Sequence, residues 1–376
     1  MIPFNRVCKV GNELDYITQA LSSGRVSGDK GFTKLVEDKL AQLGSARVLL
    51  TTSCTHALEM AAVLLDIKEG DEVIVPSFTF VSTANAFVSR GARPVFCDIR
   101  RDTLNMDETK LADLITPRTR AIVPVHYAGV GCEMDEICRL ARSADHPIMV
   151  IEDNAHGLLG KYKDKWLGTI GDLGTQSFHE TKNITCGEGG ALLINRPEYI
   201  SRLETIRDNG TNRSQFMRGE IPAYSWVDQG SSYLLSDILA AMLLGQLEMA
   251  EIIQLGRHQI WNMYDRELAN WMTDMKITGP YVPSHCAHAA HMYYLIMPTP
   301  TLRTSFISYM KNQGVQTVFH YSPLNRTRYG RRFGGDCPVA EDLAARLVRL
   351  PMYALLDRDT QSKVIEAALG WWGQSS

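Results

Sequence analysis

The 376-residue chain is 45% hydrophobic and 22% charged, ordinary for a soluble globular enzyme and longer than one hydrophobic core usually supports. A formal net charge of −3 gives no electrostatic basis for nucleic-acid binding, and no apolar run reaches the length of a membrane span. Met1–Asp15 lacks the apolar centre of a signal peptide, and the eight cysteines are scattered without a C-x-x-C, so a reducing, cytoplasmic setting is expected.

From residue 47 onwards, short β-branched runs alternate with helical patterns. Arg47–Thr51, Glu72–Pro76, Pro94–Asp98, Arg120–His126 and Ile148–Asp153 read as buried strands. Helices are expected between them at Thr55–Leu65, Val81–Ser89, Asp107–Ile115 and Glu133–Ser143. This alternation predicts an α/β fold with a doubly wound, mostly parallel sheet. Thr175–His179 and Gly190–Asn195 then follow without a full helix between them, so the sheet should become irregular or mixed there.

Residues 208–230 are polar and rich in Gly and Asn, too long for a simple connector, and so a candidate functional loop. Ser236-Asp237 opens a long helical pattern towards Leu268, with Gly245 and Gly256 as expected kinks. His291–Met297, Leu302–Asn312, Thr317–Tyr321 and Glu341–Leu347 suggest a smaller α/β domain, which divides the chain into a large domain over 1–250 and a small one over 251–376.

Ligands in open α/β sheets sit at the carboxyl ends of strands, and three features lie at such ends. Thr52-Ser53-Cys54-Thr55 joins a strand to a helix, where backbone N–H groups and small hydroxyls suit a phosphate or simply cap the helix. Glu152-Asp153 closes an apolar strand, placing a carboxylate for a pyridine nitrogen or for a helix cap. Ser77-Phe78-Thr79-Phe80 offers an aromatic for stacking on a planar ring, or for the core. Lys182 follows in Ser177-Phe178-His179-Glu180-Thr181-Lys182-Asn183, directly before the turn Gly187-Glu188-Gly189-Gly190; an amine held there could form a Schiff base with an aldehyde cofactor.

These segments together resemble the motif series of the DegT/DnrJ/EryC1/StrS family, pyridoxal phosphate-dependent sugar aminotransferases of fold type I. The resemblance runs from Ile2-Pro3-Phe4-Asn5 to Leu350-Pro351 and includes Pro124-Val125-His126-Tyr127-Ala128-Gly129, Gly210-Thr211-Asn212-Arg213 and Gly230-Ser231-Ser232-Tyr233. It implies a large domain with a central mixed sheet and a smaller C-terminal α/β domain. It also implies that Lys182 carries pyridoxal 5′-phosphate and moves the substrate proton, that Asp153 pairs with the pyridine nitrogen, and that Phe80 stacks on the ring. Cys54, Thr55 and Ser177 would meet the phosphate, and His156 falls where many members have Gln near the phenolic oxygen. A homodimer or higher homo-oligomer with shared active sites is implied, with Ser232 reaching the partner's phosphate.

Two positions depart from the family pattern. Gly-x-Asn-x-Arg becomes Gly230-x-Ser232-x-Leu234, and His320-Tyr321-x-Pro323-Leu324 ends in Asn325 instead of His. One family branch replaces the lysine by His and dehydrates the sugar, so Lys182 favours transamination. The activity so implied is amine transfer from L-glutamate to C4 of a dTDP-linked 4-keto-6-deoxy sugar, with transfer at C3 of a related sugar, or a non-catalytic cofactor-binding regulator, as alternatives. A nicotinamide-dependent sugar oxidoreductase is disfavoured because Gly129-Val130-Gly131 does not complete a dinucleotide fingerprint. His285-x-x-His288-x-x-His291 lacks a supporting acidic ligand or C-x-x-C and reads as surface histidines instead of a metal site. The basic, aromatic run Arg326–Phe333 reads as a solvated loop or a contact to the nucleotide diphosphate.

Overall fold

In the computed structural model, which describes residues 1–372, the β-branched runs of the first half assemble into one seven-stranded sheet. The strands of the chain are β1 (Arg47–Thr51), β2 (Glu72–Pro76), β3 (Arg93–Cys97), β4 (Thr119–Ile122), β5 (Met149–Asp153), a small hairpin of β6 (Lys161–Tyr162) and β7 (Lys165–Trp166), β8 (Leu173–Ser177), β9 (Gly190–Ile194), β10 (Cys286–Ala287), β11 (Tyr294–Ile296) and β12 (Leu347–Arg349). The large sheet has the order β1-β9-β8-β5-β4-β2-β3. Its strands run parallel except β9, which is antiparallel to both neighbours. The mixed sheet follows from chain length: residues 178–189 hold no helix that could carry the chain back for a parallel pairing, so it must reverse. Those same residues contain Lys182.

Helix Cys54–Leu64 packs an apolar face onto this sheet, burying Ala57, Leu58, Met60 and Ala61. At its start Ser53 is the N-cap, its hydroxyl accepting from the His56 N–H at 3.1 Å. That leaves the N–H groups of Cys54 and Thr55 without intrahelical acceptors, pointing past the ends of the strands.

The long helical pattern after Ser236 is broken, but not at either glycine. Helices Asp237–Glu248 and Ala250–Asp274 meet at Met249 with a bend of 63°. Gly245 serves a close approach: a Cβ there would lie 2.7 Å from the backbone nitrogen of Glu13, whose helix packs on this one. The second helix contributes Trp261, Tyr264, Leu268 and Trp271 to a core shared with β11, β12, Phe306 and Val364. Ile2 forms a parallel bridge with Val315 and packs against this core.

The strand expected at Thr317–Tyr321 is reduced to a single bridge, Val318 with Arg349. β12 spends its other edge on β11, and the chain then turns so that His320 and Tyr321 face the cleft between the two cores. Loop 208–230 contains one short helix, Arg213–Met217, and leaves Met217, Tyr224, Trp226 and Val227 exposed.

Candidate active site

The carboxyl ends of β1, β2, β5 and β8 open into one cavity of about 470 Å³, lined by Cys54, Thr55, Phe80, Asp153, His156, Ser177 and Lys182. Residues separated by 128 positions therefore share one wall, as the strand-end argument requires. Ser232 does not line this cavity; it is exposed and bridges Asp208.

Glu152 and Asp153, adjacent in sequence, point to opposite faces of β5 because side chains alternate along a strand. Glu152 is wholly buried and structural: it meets His126 Nε2 at 2.8 Å and accepts from the N–H groups of Gly168, Ile170 and Gly171. Asp153 faces the cavity. Its carboxylate accepts from the Thr83 hydroxyl at 2.8 Å and from the Ala155 N–H at 3.2 Å. Burial raises its pKa because the charged form is desolvated, with those hydrogen bonds opposing.

Lys182 sits on a turn closed by its own N–H donating to His179 O at 2.9 Å. Its amine has no hydrogen-bond partner among the described residues. Burial pushes its pKa down to about 8, assisted by the Arg349 cation and opposed by Asp153 and Cys54. A substantial fraction of neutral amine is thus present near neutral pH, the form that attacks a carbonyl.

Besides His179, three imidazoles line the wall. His156 stacks on His291 with ring centroids 4.3 Å apart and an interplanar angle of 16°. Its Nδ1 is buried and unpartnered, while Nε2 lies 3.4 Å from the Tyr321 hydroxyl. His291 meets Asn183 Oδ1 at 2.9 Å, and His320 meets the Tyr127 hydroxyl at 3.3 Å. Burial holds all three well below the ordinary imidazole range, so they are neutral hydrogen-bonding groups here.

The three-histidine spacing dissolves in the fold. His285 pairs with Glu133 at 2.9 Å and His288 packs on Trp261, while His291, expected at the surface, is buried in the cavity wall. The chain turns between His288 and His291 through Ala290, whose φ is 46°, which sends the histidines in different directions. Asn325, at the position where His is common in the family, is buried and accepts from Ser77 at 2.7 Å while donating to Glu341 at 2.8 Å. It ties the end of β2 to the helix Pro338–Arg346. Arg326 pairs with Glu341 at 2.7 Å.

Two cavity residues were not foreseen as such: Arg349, and His291, which its triplet spacing had assigned to the surface. The available hint for Arg349 was a lone cation within the apolar run Leu347-Val348-Arg349-Leu350. The packing of strands is what aims it inward.

Residues 7–369 match the DegT/DnrJ/EryC1/StrS aminotransferase family. The chain belongs to that family. It is 37% identical to the uncharacterized protein MJ1066 of Methanocaldococcus jannaschii, covering 97% of this chain and 96% of that protein. It is 34% identical to the spore coat polysaccharide biosynthesis protein SpsC of Bacillus subtilis, over 94% and 93% of the two chains. Among solved structures, the putative sugar aminotransferase Spr1654 from Streptococcus pneumoniae in its PMP form superimposes with a TM-score of 0.90 at 26% identity, covering 98% of each chain. Its PLP form gives a TM-score of 0.89.

Within this aminotransferase fold, Gly190 has a steric duty. A Cβ there would stand 2.2 Å from the Ser53 carbonyl carbon and 2.3 Å from the Cys54 nitrogen, backbone atoms of the helix start that cannot swing aside. Gly190→Ala should destabilise the fold by about 1–3 kcal/mol, the usual cost of overpacking. Thermal unfolding of the variant checks this, and an unchanged midpoint would show that the turn yields freely.

Proposed function

We propose that this chain is a pyridoxal phosphate-dependent aminotransferase that moves an amine from L-glutamate to C4 of a nucleotide-linked 4-keto-6-deoxy sugar. The acceptor is dTDP-4-keto-6-deoxy-D-glucose, and the product is the dTDP-4-amino-4,6-dideoxy sugar of galacto or gluco configuration. The division into a large domain over 1–250 and a small domain over 251–376, and a homodimer in which Ser232 reaches the partner's site, belong to the same proposal.

The observation that carries the reading is the meeting of an unpaired amine, a buried carboxylate and a free helix N-terminus in one cavity. These groups fit the cofactor. The N–H groups of Cys54 and Thr55 would receive its phosphate, supported by the Ser177 hydroxyl, because a helix start favours anions. Asp153 would hold a proton on the pyridine nitrogen, and that pairing would offset the desolvation that now raises its pKa. Phe80, 56% exposed in the cleft, would cover the ring face. The unpartnered Nδ1 of His156 is available for the phenolic oxygen. When bound, the cofactor supplies an electron sink for the carbon that loses its proton.

The chain's own part is then proton handling. Lys182 Nζ, its pKa lowered to about 8 by burial, takes the proton from the donor's α-carbon and returns one to the sugar carbon in the second half-reaction. The neutral histidines and Tyr321 line the route without adding charge near the migrating proton.

The purified protein should be yellow, L-glutamate should bleach that colour, and subsequent dTDP-4-keto-6-deoxy-D-glucose should restore it. Borohydride should fix a pyridoxyl mass on the peptide carrying Lys182. Proton NMR of the product then reads the configuration at C4 from the H4 couplings. A colourless preparation that gains no absorbance with added pyridoxal phosphate would sink the assignment.

A further inference from the structure

Asp153 is gripped by two donors, and one of them belongs to a chain of hydroxyls. The Thr83 hydroxyl donates to its Oδ2 at 2.8 Å, and the hydroxyl oxygens of Thr79 and Thr83 stand 2.7 Å apart. All three residues are buried and border the cavity. Thr79 lies on the loop after β2, and Thr83 in the first turn of the helix Ser82–Val88. With Asp153 ionised, the direction of these bonds is forced. A hydroxyl has one proton to give and a carboxylate none, so Thr83 spends its proton on Asp153 and its oxygen accepts from Thr79. A donor whose own oxygen accepts a hydrogen bond is polarised and donates more strongly.

Other threonines in this chain use their hydroxyls locally. Thr18, Thr205, Thr273 and Thr304 each donate to the carbonyl four residues back, a common habit of helical threonines. Thr83 instead reaches across to β5. Lys182, His126, Cys54 and Tyr321 interact with Asp153 through space, but none of them makes a hydrogen bond to its carboxylate among the described residues. Thr83 and the Ala155 N–H therefore hold it.

We propose that Thr83, backed by Thr79, is a positioning residue that keeps the proton shared by Asp153 and the cofactor's pyridine nitrogen on the nitrogen. This rests on the aminotransferase reading above. In a desolvated pair the proton can rest on either partner, and on the carboxyl it leaves a neutral ring that draws electrons weakly. A hydrogen bond to the charged form of a carboxylate favours that form. Thr83 thus weights the pair towards carboxylate and pyridinium, and its branched Cβ limits the rotamers from which the hydroxyl can leave Asp153.

The test titrates cofactor-free protein with pyridoxal phosphate and with deazapyridoxal phosphate, in which carbon replaces the ring nitrogen and no proton is shared. Thr83→Val, close in shape but without the hydroxyl, should bind pyridoxal phosphate about 10- to 100-fold more weakly, the scale of a hydrogen bond to a charged group. Its affinity for the deaza form should stay within about threefold of the wild type, since no charge pair is formed there. In protein loaded with cofactor isotope-labelled at the ring nitrogen, that resonance should sit at the pyridinium position in the wild type and move towards neutral pyridine in Thr83→Val. Thr83→Ser keeps a donor and should retain the pyridinium signal. Thr79→Val, one bond further out, should weaken pyridoxal phosphate binding about threefold, through lost polarisation alone. Equal weakening of both cofactors would show that Thr83 only packs, and would overturn the proposal. So would an unmoved nitrogen resonance in Thr83→Val, or a larger loss from Thr79→Val than from Thr83→Val. A wild-type protein that binds pyridoxal phosphate but that no amino acid bleaches would instead overturn the aminotransferase reading and leave this comparison standing; one that takes up neither cofactor would overturn both.

Discussion

Lys182→Ala is expected to reduce the L-glutamate half-reaction on the order of 10³- to 10⁴-fold, the scale of a positioned acid–base group, while leaving the fold intact. The amine makes no hydrogen bond to another group among the described residues, so truncation breaks no structural contact. It also removes a charge whose pKa burial has already lowered to about 8. The variant should therefore melt close to the wild type yet fail to retain a borohydride-fixed label. Lys182→Arg restores a cation but no neutral amine and should be equally inactive. The pH dependence follows from the same shift. Capture of pyridoxal phosphate by the cofactor-free protein requires neutral amine, so its rate should rise as pH is raised through about 8 and level above it. Stopped-flow absorbance measures this, and a profile rising instead towards the ordinary lysine range near pH 10 would show that burial does not tune the amine.

Asp153→Asn should cost on the order of 10²- to 10³-fold in turnover, because an amide cannot hold a proton on the pyridine nitrogen. Its effect on the cofactor-free protein should have the opposite sign. Asp153 has a raised pKa in the fold, so the native state binds more protons than the unfolded chain between the ordinary carboxylate value and the raised one. Stability then falls as pH rises through that window and stays reduced above it. The neutral amide escapes this penalty and still accepts the Thr83 hydroxyl. Cofactor-free Asp153→Asn should accordingly melt at or above the wild type at pH 7, with the difference narrowing as pH falls to the ordinary carboxylate range. Calorimetry across that range decides the matter; a variant that melts lower at pH 7 than at pH 4, relative to wild type, contradicts the desolvation argument. Activity and stability moving apart at one residue is the signature of a group kept for function.

Much of this architecture was legible before any coordinates. The buried strands from Arg47 to Asp153 are runs of β-branched residues bounded by turns, a local signal strong enough to survive tertiary packing. The reversal at β9 was foreshadowed by the missing helix between Thr175–His179 and Gly190–Asn195. The break at Met249 was not, because Gly245 offers an obvious hinge to a sequence reader while its real function is a close approach to Glu13, a contact between elements more than two hundred residues apart. Thr317–Tyr321 meets the free edge of β12 at Val318 alone, because the chain leaves the sheet there to bring His320 and Tyr321 to the cavity, which no local pattern records.

The sequence alone brought Cys54, Thr55, Phe80 and Asp153 to strand ends with Lys182 following, because the carboxyl ends of parallel strands must converge once the strands themselves are recognised. His156 and Ser177 entered only through the family resemblance. Only the tertiary structure separated Glu152 from Asp153 by the face of β5 each occupies. It likewise turned His291 from an expected surface position into the partner of His156, and brought Arg349 beneath Phe4. Those last placements depend on how the small core docks against the large sheet, a matter of packing between distant elements that leaves no periodic trace in the chain.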